Sequence, residues 1–435
     1  MSDTIFALAS GAGLCAISVI RVSGPASDAA LLTLCGALPP ARRASLRRIR
    51  DPRTQALLDH GLVLRFPGPQ SFTGEDGFEL HIHGGRAVAA GVLAALGLCE
   101  GLRLAEPGEF ARRAFRNGKL DLTEAEGLAD LIEASTAAQR DQALALAGGR
   151  LREQAQAWRS AILALQAQTE ASIDFSDEGD VPGAVWEDFA AEVKTLAQSM
   201  EVALVDGRRG EILRNGFTVV LAGPPNAGKS SLMNALARRD VAIVSAIPGT
   251  TRDLIEVSLD LDGMAVILVD TAGLRESGDE VEQEGIRRTR ARVAAADLVL
   301  WLVAPDQQGG GSALPDASVV LIATKCDLGP IESEAKPSLS LSARTGQGVD
   351  ELLGLMTERA RHALRPEEPA LMSRERHRIA IREACAALGQ IKQDMPVEVA
   401  AEELRTAARA LASIIGLVGP EDVLGEIFSR FCIGK

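Results

Sequence analysis

The stretch "FTVVLAGPPNAGKSSLMNAL" (217–236) constrains the fold of this chain more than any other feature. An apolar run of strand character leads into GxxxxGKS, and a helix-forming sequence follows, which is the phosphate-binding loop pattern. Gly223 and Gly228 allow the loop to turn its backbone N–H groups toward phosphate. Lys229 is placed to reach the outer phosphates, and the hydroxyl of Ser230 to bind magnesium. The pattern therefore predicts a nucleotide-binding domain built on a mostly parallel sheet.

Three further motifs indicate which nucleotide is bound. "TKCD" (324–327) follows the apolar run "SVVLIA", and Asp327 can accept hydrogen bonds from both donors on the guanine edge, which adenine lacks. "SAR" (342–344) lies where a further loop would cover the base. "DTAG" (270–273) follows a strand, and Asp270 can hold magnesium through water. Motifs in this order predict a GTPase domain.

The first switch loop is predicted at "IPGTTRD" (247–253). Thr250 and Thr251 are both candidate ligands there, and we favour Thr251 for magnesium. The side-chain carbonyl of Asn226, together with switch backbone carbonyls, could hold a monovalent cation beside the β- and γ-phosphates. Thr324 stands where many GTPases have asparagine, which predicts looser bonding between the base loop and the phosphate loop.

The residue after "DTAG" departs from the commonest pattern. Leu274 occupies the position at which many GTPases carry the glutamine that orients the attacking water. Either hydrolysis is negligible or another group orients the water. Glu282 is the carboxylate we favour, with Glu280 and Glu284 as rivals; the alternative is that all three only solvate a switch loop.

Helical sequence lies on both sides of the GTPase motifs. Residues after Leu120 predict two long amphipathic helices with a capping box at Thr123 and Glu126, and a third helix ending near Arg214. Two strand-like runs around Asp262-Gly263 predict an antiparallel hairpin in the otherwise parallel sheet. The predicted fold class is a multidomain α/β and α protein. Its predicted domains are residues 1–118 (mixed α/β), 119–214 (helical, first part), 215–365 (GTPase) and 366–435 (helical, second part).

Charge and composition limit the possible partners. A net charge of −13 over 435 residues argues against nucleic-acid binding by the whole surface, so any such binding needs local patches. The segment 41–53 carries six arginines, which we expect to form a solvated loop, and 111–119 is a second basic patch. Six cysteines without CxxC spacing suit a reducing cytoplasm, and no run reaches the length of a membrane span. Lysine is scarce, with seven among 46 basic residues, so each survivor is a candidate for a role that needs an ammonium.

Several segments outside the GTPase motifs give the chain a specific resemblance. These are "DTIFALAS" at the start, "SFTGEDGFELHIHGG" (71–85), "PGEFARRAFRNGKLDLTEAE" (107–126) and the C-terminal "FCIGK". Over essentially its whole length the chain resembles the MnmE (TrmE) family of tRNA modification GTPases. The resemblance implies an N-terminal folate-binding domain that forms a homodimer, a central helical domain, and a Ras-like P-loop GTPase domain inserted into the helical domain.

The resemblance also implies an activity and its partners. The family acts with MnmG, which depends on FAD and NADH, in a heterotetrameric complex. Together they install a carboxymethylaminomethyl or aminomethyl group on carbon 5 of the wobble uridine of certain tRNAs. A folate such as 5-formyl-tetrahydrofolate is implicated as the one-carbon source. Potassium-dependent dimerisation of the GTPase domains activates hydrolysis, with Mg²⁺ at the nucleotide.

Site residues follow from the matching motif positions. The folate site maps to Arg21, Glu79, Lys119 and the terminal Lys435, where three cations suit a polyglutamate-like acid and Glu79 can accept from pterin N–H donors. Glu282 matches the water-orienting glutamate. The potassium ligands map to Asn226, Ser245, Ile247 and Thr250, and the magnesium ligands to Ser230 and Thr251. The predicted GTP-binding residues are Asn226, Ala227, Gly228, Lys229, Ser230, Ser231, Ser245, Ala246, Ile247, Pro248, Gly249, Thr250, Thr251, Asp270, Thr271, Ala272, Gly273, Thr324, Lys325, Asp327, Ser342, Ala343 and Arg344.

Two other functions fit parts of the sequence. A GTP-driven assembly factor for ribosomal particles would be expected to carry a basic RNA module, and the sequence has none. A non-catalytic switch, in which GTP only sets domain orientation, is favoured by Leu274 alone. Cys432 is either a reactive thiol near the one-carbon unit or, as we favour, a structural cysteine.

Overall fold

The computed structural model describes residues 3–11, 13–174, 183–243, 256–270, 295–305, 319–330, 336–365, 370–392, 395–418 and 434. The strands in these ranges are β1 Thr4–Leu8, β2 Ile17–Ser23, β3 Ser45–Arg50, β4 Leu57–Phe66, β5 Gly77–His83, β6 Leu102–Leu104, β7 Phe217–Ala222, β8 Glu256–Leu261, β9 Met264–Asp270, β10 Leu298–Val303, β11 Val319–Ala323 and β12 Leu339–Ser340. The helices are α1 Ser27–Cys35, α2 Arg86–Gly97, α3 Glu109–Arg116, α4 Leu122–Glu133, α5 Ala137–Ala147, α6 Arg150–Asp174, α7 Gly183–Asn215, α8 Lys229–Ala237, α9 Val349–Leu364, α10 Glu375–Gln390 and α11 Val397–Ile414. None of these helices is both long and apolar enough to cross a membrane.

The chain divides into two compact units, the first comprising Met1–Ala129, Arg152–Arg159 and Arg409–Lys435. Its sheet has six strands in the order β3-β4-β5-β2-β1-β6. Alternate residues of these strands, among them Ile20, Leu80 and Val63, form a core with the apolar side chains of α1 and α2. One face of the sheet is therefore closed by helices, and the residues between those core positions point to the opposite face.

The second unit comprises Asp130–Leu151 and Ser160–Ala408. Its six-stranded sheet has the order β12-β11-β10-β7-β9-β8, and every neighbouring pair is parallel except β8 with β9. The β8–β9 hairpin turns at Asp262 and Gly263, which have positive φ values of 52° and 79°. Two such residues are what a two-residue hairpin turn requires, so the predicted antiparallel hairpin in a parallel sheet is confirmed.

The helices after residue 120 differ from the prediction. Three helices, α4, α5 and α6, replace the expected two, because the chain breaks at Thr136, whose side chain accepts the N–H of Gln139 and starts α5. The capping box was also placed wrongly at Thr123 and Glu126. The carboxylate of Asp121 accepts the N–H of Glu124, and the Glu124 carboxylate accepts the N–H of Asp121, so the box lies two residues earlier.

A single glutamine of α5 joins two distant parts of the second unit. The side-chain amide of Gln142 donates to the carbonyl oxygens of Gly210 at 2.9 Å and Ala370 at 2.8 Å. One turn earlier, the amide of Gln139 donates to the carbonyl oxygen of Arg214 at 2.9 Å. Helix α5 therefore holds the chain where it enters the GTPase motifs and again where it leaves them.

The arginine-rich segment 41–53 is not the loop that we expected over its whole length. Residues Ser45–Arg50 form β3, which pairs antiparallel with β4 and is an edge strand of the first sheet. Leu46 and Ile49 are three positions apart and do not follow the period-2 pattern of a strand. The prediction of a loop therefore relied on the arginine content.

Candidate functional site

The phosphate loop connects β7 to α8 with a backbone that few residues can adopt. Asn226 and Gly228 have φ values of 63° and 91° in the left-handed region. Gly223 has a φ of 138°, and a Cβ there would lie 2.3 Å from the carbonyl oxygen of Leu302 in β10. The loop is thus packed tightly against the sheet and delivers its backbone to the N-terminus of α8, where helix N–H groups favour an anion.

Lys229 is the first residue of α8 and is only 7% exposed. Its ammonium donates to the carbonyl oxygens of Gly223 and Pro224, both at 2.9 Å. Neutral carbonyls satisfy the donors without cancelling the charge. The positive charge therefore stays inside the loop, where phosphate oxygens can share it.

Ser230 and Asp270 form the candidate magnesium site. The Ser230 hydroxyl donates to Oδ2 of Asp270 at 2.8 Å, and Asp270, the last residue of β9, is 1% exposed. Magnesium takes oxygen ligands and keeps several waters. A hydroxyl and a buried carboxylate in contact beside the phosphate loop fit that preference, with Ser230 as the direct ligand and Asp270 acting through water.

The "TKCD" loop carries Asp327, whose carboxylate is held in its charged form. Arg344 lies 2.7 Å from the Asp327 carboxylate. A hydrogen bond from Ser342, together with the charge of Arg344, lowers the pKa of Asp327. The structure thus brings "TKCD" and "SAR" into contact, and a carboxylate that stays charged can accept two N–H donors from one edge of guanine.

Thr324 corrects the expectation of looser bonding. Its hydroxyl lies 2.6 Å from the carbonyl oxygen of Ala227 in the phosphate loop and 2.9 Å from that of Val303 at the end of β10. The side chain is buried. Threonine therefore joins the base loop to the phosphate loop directly, through its own hydroxyl.

Many predicted residues lie outside the described part of the chain. These are Ser245, Ala246, Ile247, Pro248, Gly249, Thr250, Thr251, Thr271, Ala272, Gly273, Glu282, Lys435, and the alternatives Glu280 and Glu284. Their roles stay predictions.

The predicted folate residues Arg21 and Glu79 are neighbours on β2 and β5. The two residues are opposite one another in register, and the guanidinium contacts Oε1 of Glu79 at 3.1 Å through Nε and 3.0 Å through Nη2. The Arg21 guanidinium also lies over the rings of Phe72 and Phe110, with ring-centroid distances of 5.2 and 5.8 Å. Neither ring was predicted from the sequence, although Phe72 lies inside the "SFTGED" motif. Arg21 engages Oε1 of Glu79 and His81 Nε2 lies 3.4 Å from Oε2, so only part of the acceptor capacity of Glu79 remains for a ligand.

Lys119 and the C-terminus are tied to the same part of the first unit. The Lys119 side chain packs where a Cβ on Gly74 would meet it at 3.3 Å, in the loop that carries Phe72. Gly434, one residue before the terminal lysine, has a φ of 101°, and a Cβ there would lie 2.4 Å from the carbonyl oxygen of Leu8. Leu8 is in register with Ile20, next to Arg21. The described residues therefore bring Arg21, Glu79 and the chain end to neighbouring strands.

Comparison with known proteins gives matches over nearly the whole chain. Residues 4–119 match the family described as the GTP-binding protein TrmE N-terminus, and residues 122–432 match the MnmE helical domain. The tRNA modification GTPase MnmE of Methylobacterium sp. (strain 4-46) is 53% identical over 442 residues, covering 100% of both chains. That of Beijerinckia indica subsp. indica is 51% identical over 441 residues, covering 100% of this chain and 96% of its own. Among solved structures, the G domain of the T. maritima FeoB iron transporter is 27% identical and covers 33% of this chain and 98% of its own, with a TM-score of 0.24.

Identity of this degree over full length agrees with the resemblance seen in the motifs and with the phosphate loop and sheet described above. The chain therefore belongs to the MnmE (TrmE) family of tRNA modification GTPases.

Proposed function

We propose that this protein binds and hydrolyses GTP and that hydrolysis serves the modification of tRNA. The observation that carries the proposal is the contact of Ser230 with the buried Asp270 at 2.8 Å beside Lys229, in a loop whose backbone curls at the start of α8. This is the arrangement that positions Mg²⁺ and the outer phosphates in phosphate-loop hydrolases. Family membership and the ionised Asp327 support guanine as the base.

In this mechanism the protein mainly positions groups and stabilises charge. The loop N–H groups and Lys229 bind the phosphates, Ser230 holds magnesium, and Asp327 selects guanine. Magnesium, when bound, neutralises charge developing on the phosphate oxygens. We assign the orientation of the attacking water to Glu282, because leucine at position 274 has no group that can do this.

Potassium completes the proposed nucleotide site. Its ligands are the side chain of Asn226 and the switch positions Ser245, Ile247 and Thr250. A monovalent cation beside the β- and γ-phosphates would supply positive charge where an arginine acts in other GTPases. Dimerisation of the GTPase domains around that cation activates hydrolysis in this proposal.

The tRNA reaction is proposed to take place in the cytoplasm with an MnmG partner that depends on FAD and NADH. Carbon 5 of the wobble uridine receives the aminomethyl-type group, and a folate bound near Arg21, Glu79, Lys119 and Lys435 carries the one-carbon unit. The close approach of Gly434 to Leu8, whose register partner is Ile20 of β2, supports the proposal that the chain end belongs to that site. Two copies of the chain associate through their N-terminal domains.

The test is GTP turnover in potassium against sodium buffer for the parent protein and for Asn226→Ala. Because Asn226 has a φ of 63°, Asn226→Gly is the companion variant that removes the amide without backbone strain. Asn234→Ala, at an exposed position of α8, is the matched control. We expect potassium stimulation in the parent and the control and none in either Asn226 variant, with GDP affinity retained. Equal turnover in both salts for the parent protein would contradict potassium activation, and absence of any turnover would contradict the hydrolase assignment.

A further inference from the structure

The edge strand β3 and the residues flanking it, 42–53, form a row of arginines that the sites described above do not use. The six are Arg42, Arg43, Arg47, Arg48, Arg50 and Arg53. The side chains of Arg42, Arg43, Arg48 and Arg53 are exposed. Because the row follows an extended strand, it is a line of positive charge and not a compact pocket.

The hydrogen bonds of these guanidinium groups go to backbone carbonyls, and the charge of Arg53 also acts on the nearby Asp51. The guanidinium groups of Arg47 and Arg50 donate to backbone carbonyls, of Leu46 at 3.1 Å and Gln55 at 2.8 Å. Within the described ranges none of the six forms an ion pair with a carboxylate. By contrast, the arginines of this unit that do pair with carboxylates are Arg21, Arg65, Arg103, Arg112, Arg113 and Arg152.

The acid of this segment is already engaged. Asp51 accepts the backbone N–H groups of Arg53 and Thr54 at 2.9 and 2.8 Å and so closes the turn between β3 and β4. The second basic patch, 111–119, is different, since Arg112 and Arg113 are held by Glu106 and Glu109. In a protein with a net charge of −13, an unneutralised row of this kind is a local exception.

Arg48 lies on the same sheet face as the candidate folate residues, whereas its neighbour Arg47 points to the other face. Arg48 is opposite His60 on β4, and one step along the pleat Leu62 of β4 is opposite His81 of β5, which neighbours Glu79 on the same face. The side chains of Arg48 and His60 are both exposed, and Leu46 is 67% exposed. Three strand spacings separate β3 from β2, and the register displaces Arg48 by four residues along the strands from Arg21, so the two positions lie roughly 20 Å apart.

From this geometry we infer that the β3 edge binds the phosphate backbone of the RNA substrate. The inference rests on the proposed tRNA function and names the surface through which the nucleic acid is held. Exposed guanidinium groups that form no ion pair with a carboxylate among the described residues suit phosphate, which they can bind bidentately. An RNA strand lying along β3 would run on the sheet that also carries Arg21 and Glu79.

Protection of an exposed sheet edge is the simpler explanation for charge at β3. That role is served by charge of either sign and would be compatible with acidic neighbours. The six basic residues in this segment and the absence of carboxylate partners among the described residues favour an anionic ligand.

The test measures binding of the full-length protein to a fluorescent RNA stem-loop with a uridine at the wobble position, at several salt concentrations. Arg43→Gln, Arg48→Gln and Arg53→Gln are combined, because these exposed side chains can change without disturbing the core. A charge-matched control combines Arg140→Gln, Arg359→Gln and Arg405→Gln, which are also exposed. We expect the first variant to bind at least about tenfold more weakly and to lower the slope of log K against log salt by about 2, while the control matches the parent.

The outcomes separate this inference from the proposed function. Equal RNA affinity and salt slope for the two triple variants would overturn it, while leaving the tRNA function in place. No RNA binding by the parent at low salt would overturn both. Loss of tRNA modification without loss of RNA affinity would assign β3 to a protein partner. A changed oligomeric state in sedimentation would assign it to contact between copies of the chain, and either result would overturn the RNA assignment. Unchanged GTP turnover without RNA confirms that the variant protein is intact.

Discussion

The bond from Thr324 to Ala227 gives a prediction whose size follows from the structure. Thr324→Val removes the hydroxyl at nearly constant volume from a buried position. The carbonyl oxygen of Val303 keeps a partner, because it also accepts the backbone N–H of Thr324 at 2.7 Å. The carbonyl oxygen of Ala227, in contrast, loses a hydroxyl 2.6 Å away. Removing this hydrogen bond from the buried carbonyl oxygen of Ala227 costs about 1–3 kcal/mol of folding free energy.

Part of that cost should appear in nucleotide affinity. Thr324 begins the base loop and Ala227 belongs to the phosphate loop, so the bond fixes the distance between the two ends of the bound nucleotide. A loss of about 1.4 kcal/mol in this preorganisation corresponds to a tenfold rise in the Kd for GDP. We therefore expect Thr324→Val to bind GDP about tenfold more weakly than the parent.

The assay is a titration with a fluorescent GDP analogue, with two comparison variants. Thr324→Ser keeps the hydroxyl and should bind like the parent. Thr195→Val makes the same chemical change at an exposed helix position, where the hydroxyl bonds to Ala191, and should have no effect on GDP binding. A Kd for Thr324→Val within twofold of the parent would refute the view that this hydroxyl couples the loops.

Three other predictions concern groups with well-defined surroundings. Asp327→Asn removes a carboxylate that accepts two donors, at about 1.5–3 kcal/mol each, so guanine nucleotide affinity should fall by about 10²–10⁴-fold in the same titration; an unchanged Kd would contradict guanine recognition by Asp327. Burial raises the pKa of Glu109, but hydrogen bonds from Arg103, the Glu106 amide and Arg113 outweigh it and lower the pKa to about 2. The ionised Glu109 carboxylate stabilises the folded protein by no more than about 3 kcal/mol, and this stabilisation is present above pH 4.5 and lost as the pH falls toward 2. Glu109→Gln should therefore lower Tm at pH 7 and flatten the dependence of Tm on pH between pH 4.5 and 2. Gly434→Ala places a Cβ against Leu8 at positive φ and should weaken binding of 5-formyl-tetrahydrofolate at least about tenfold in calorimetry, without changing GDP affinity; equal folate affinity would show that the chain end is not part of that site.

Local chemistry allowed the GTPase sheet to be predicted well. The phosphate loop and the hairpin at Asp262-Gly263 each depend on a few adjacent residues with unusual backbone requirements, and such requirements are visible in a sequence. The sequence placed "SAR" where a loop would cover the base, and the structure adds its contact with "TKCD".

The structural features that the sequence did not predict depend on residues far apart in the chain, or on a choice between similar capping residues a few positions apart. The helix break at Thr136 and the box at Asp121 compete with equally plausible caps a few residues away, so the sequence alone does not choose between them. The rings over Arg21 come from Phe72 and Phe110, which no periodicity connects. The strand β3 is stabilised by pairing with β4, and that pairing overrides its charge.

The two bonds of Gln142 have a consequence for the ancestry and engineering of the chain. Its amide holds the carbonyls of Gly210 and Ala370 together, so the long segment between them begins and ends at one point. A segment with adjacent ends closes a loop whose entropic cost grows only slowly with length. Because its ends are held together, we expect such a segment to tolerate replacement by a short linker better than a segment whose ends lie far apart. Gln142 thus marks the position at which a GTPase domain could have been inserted into a helical domain as one segment.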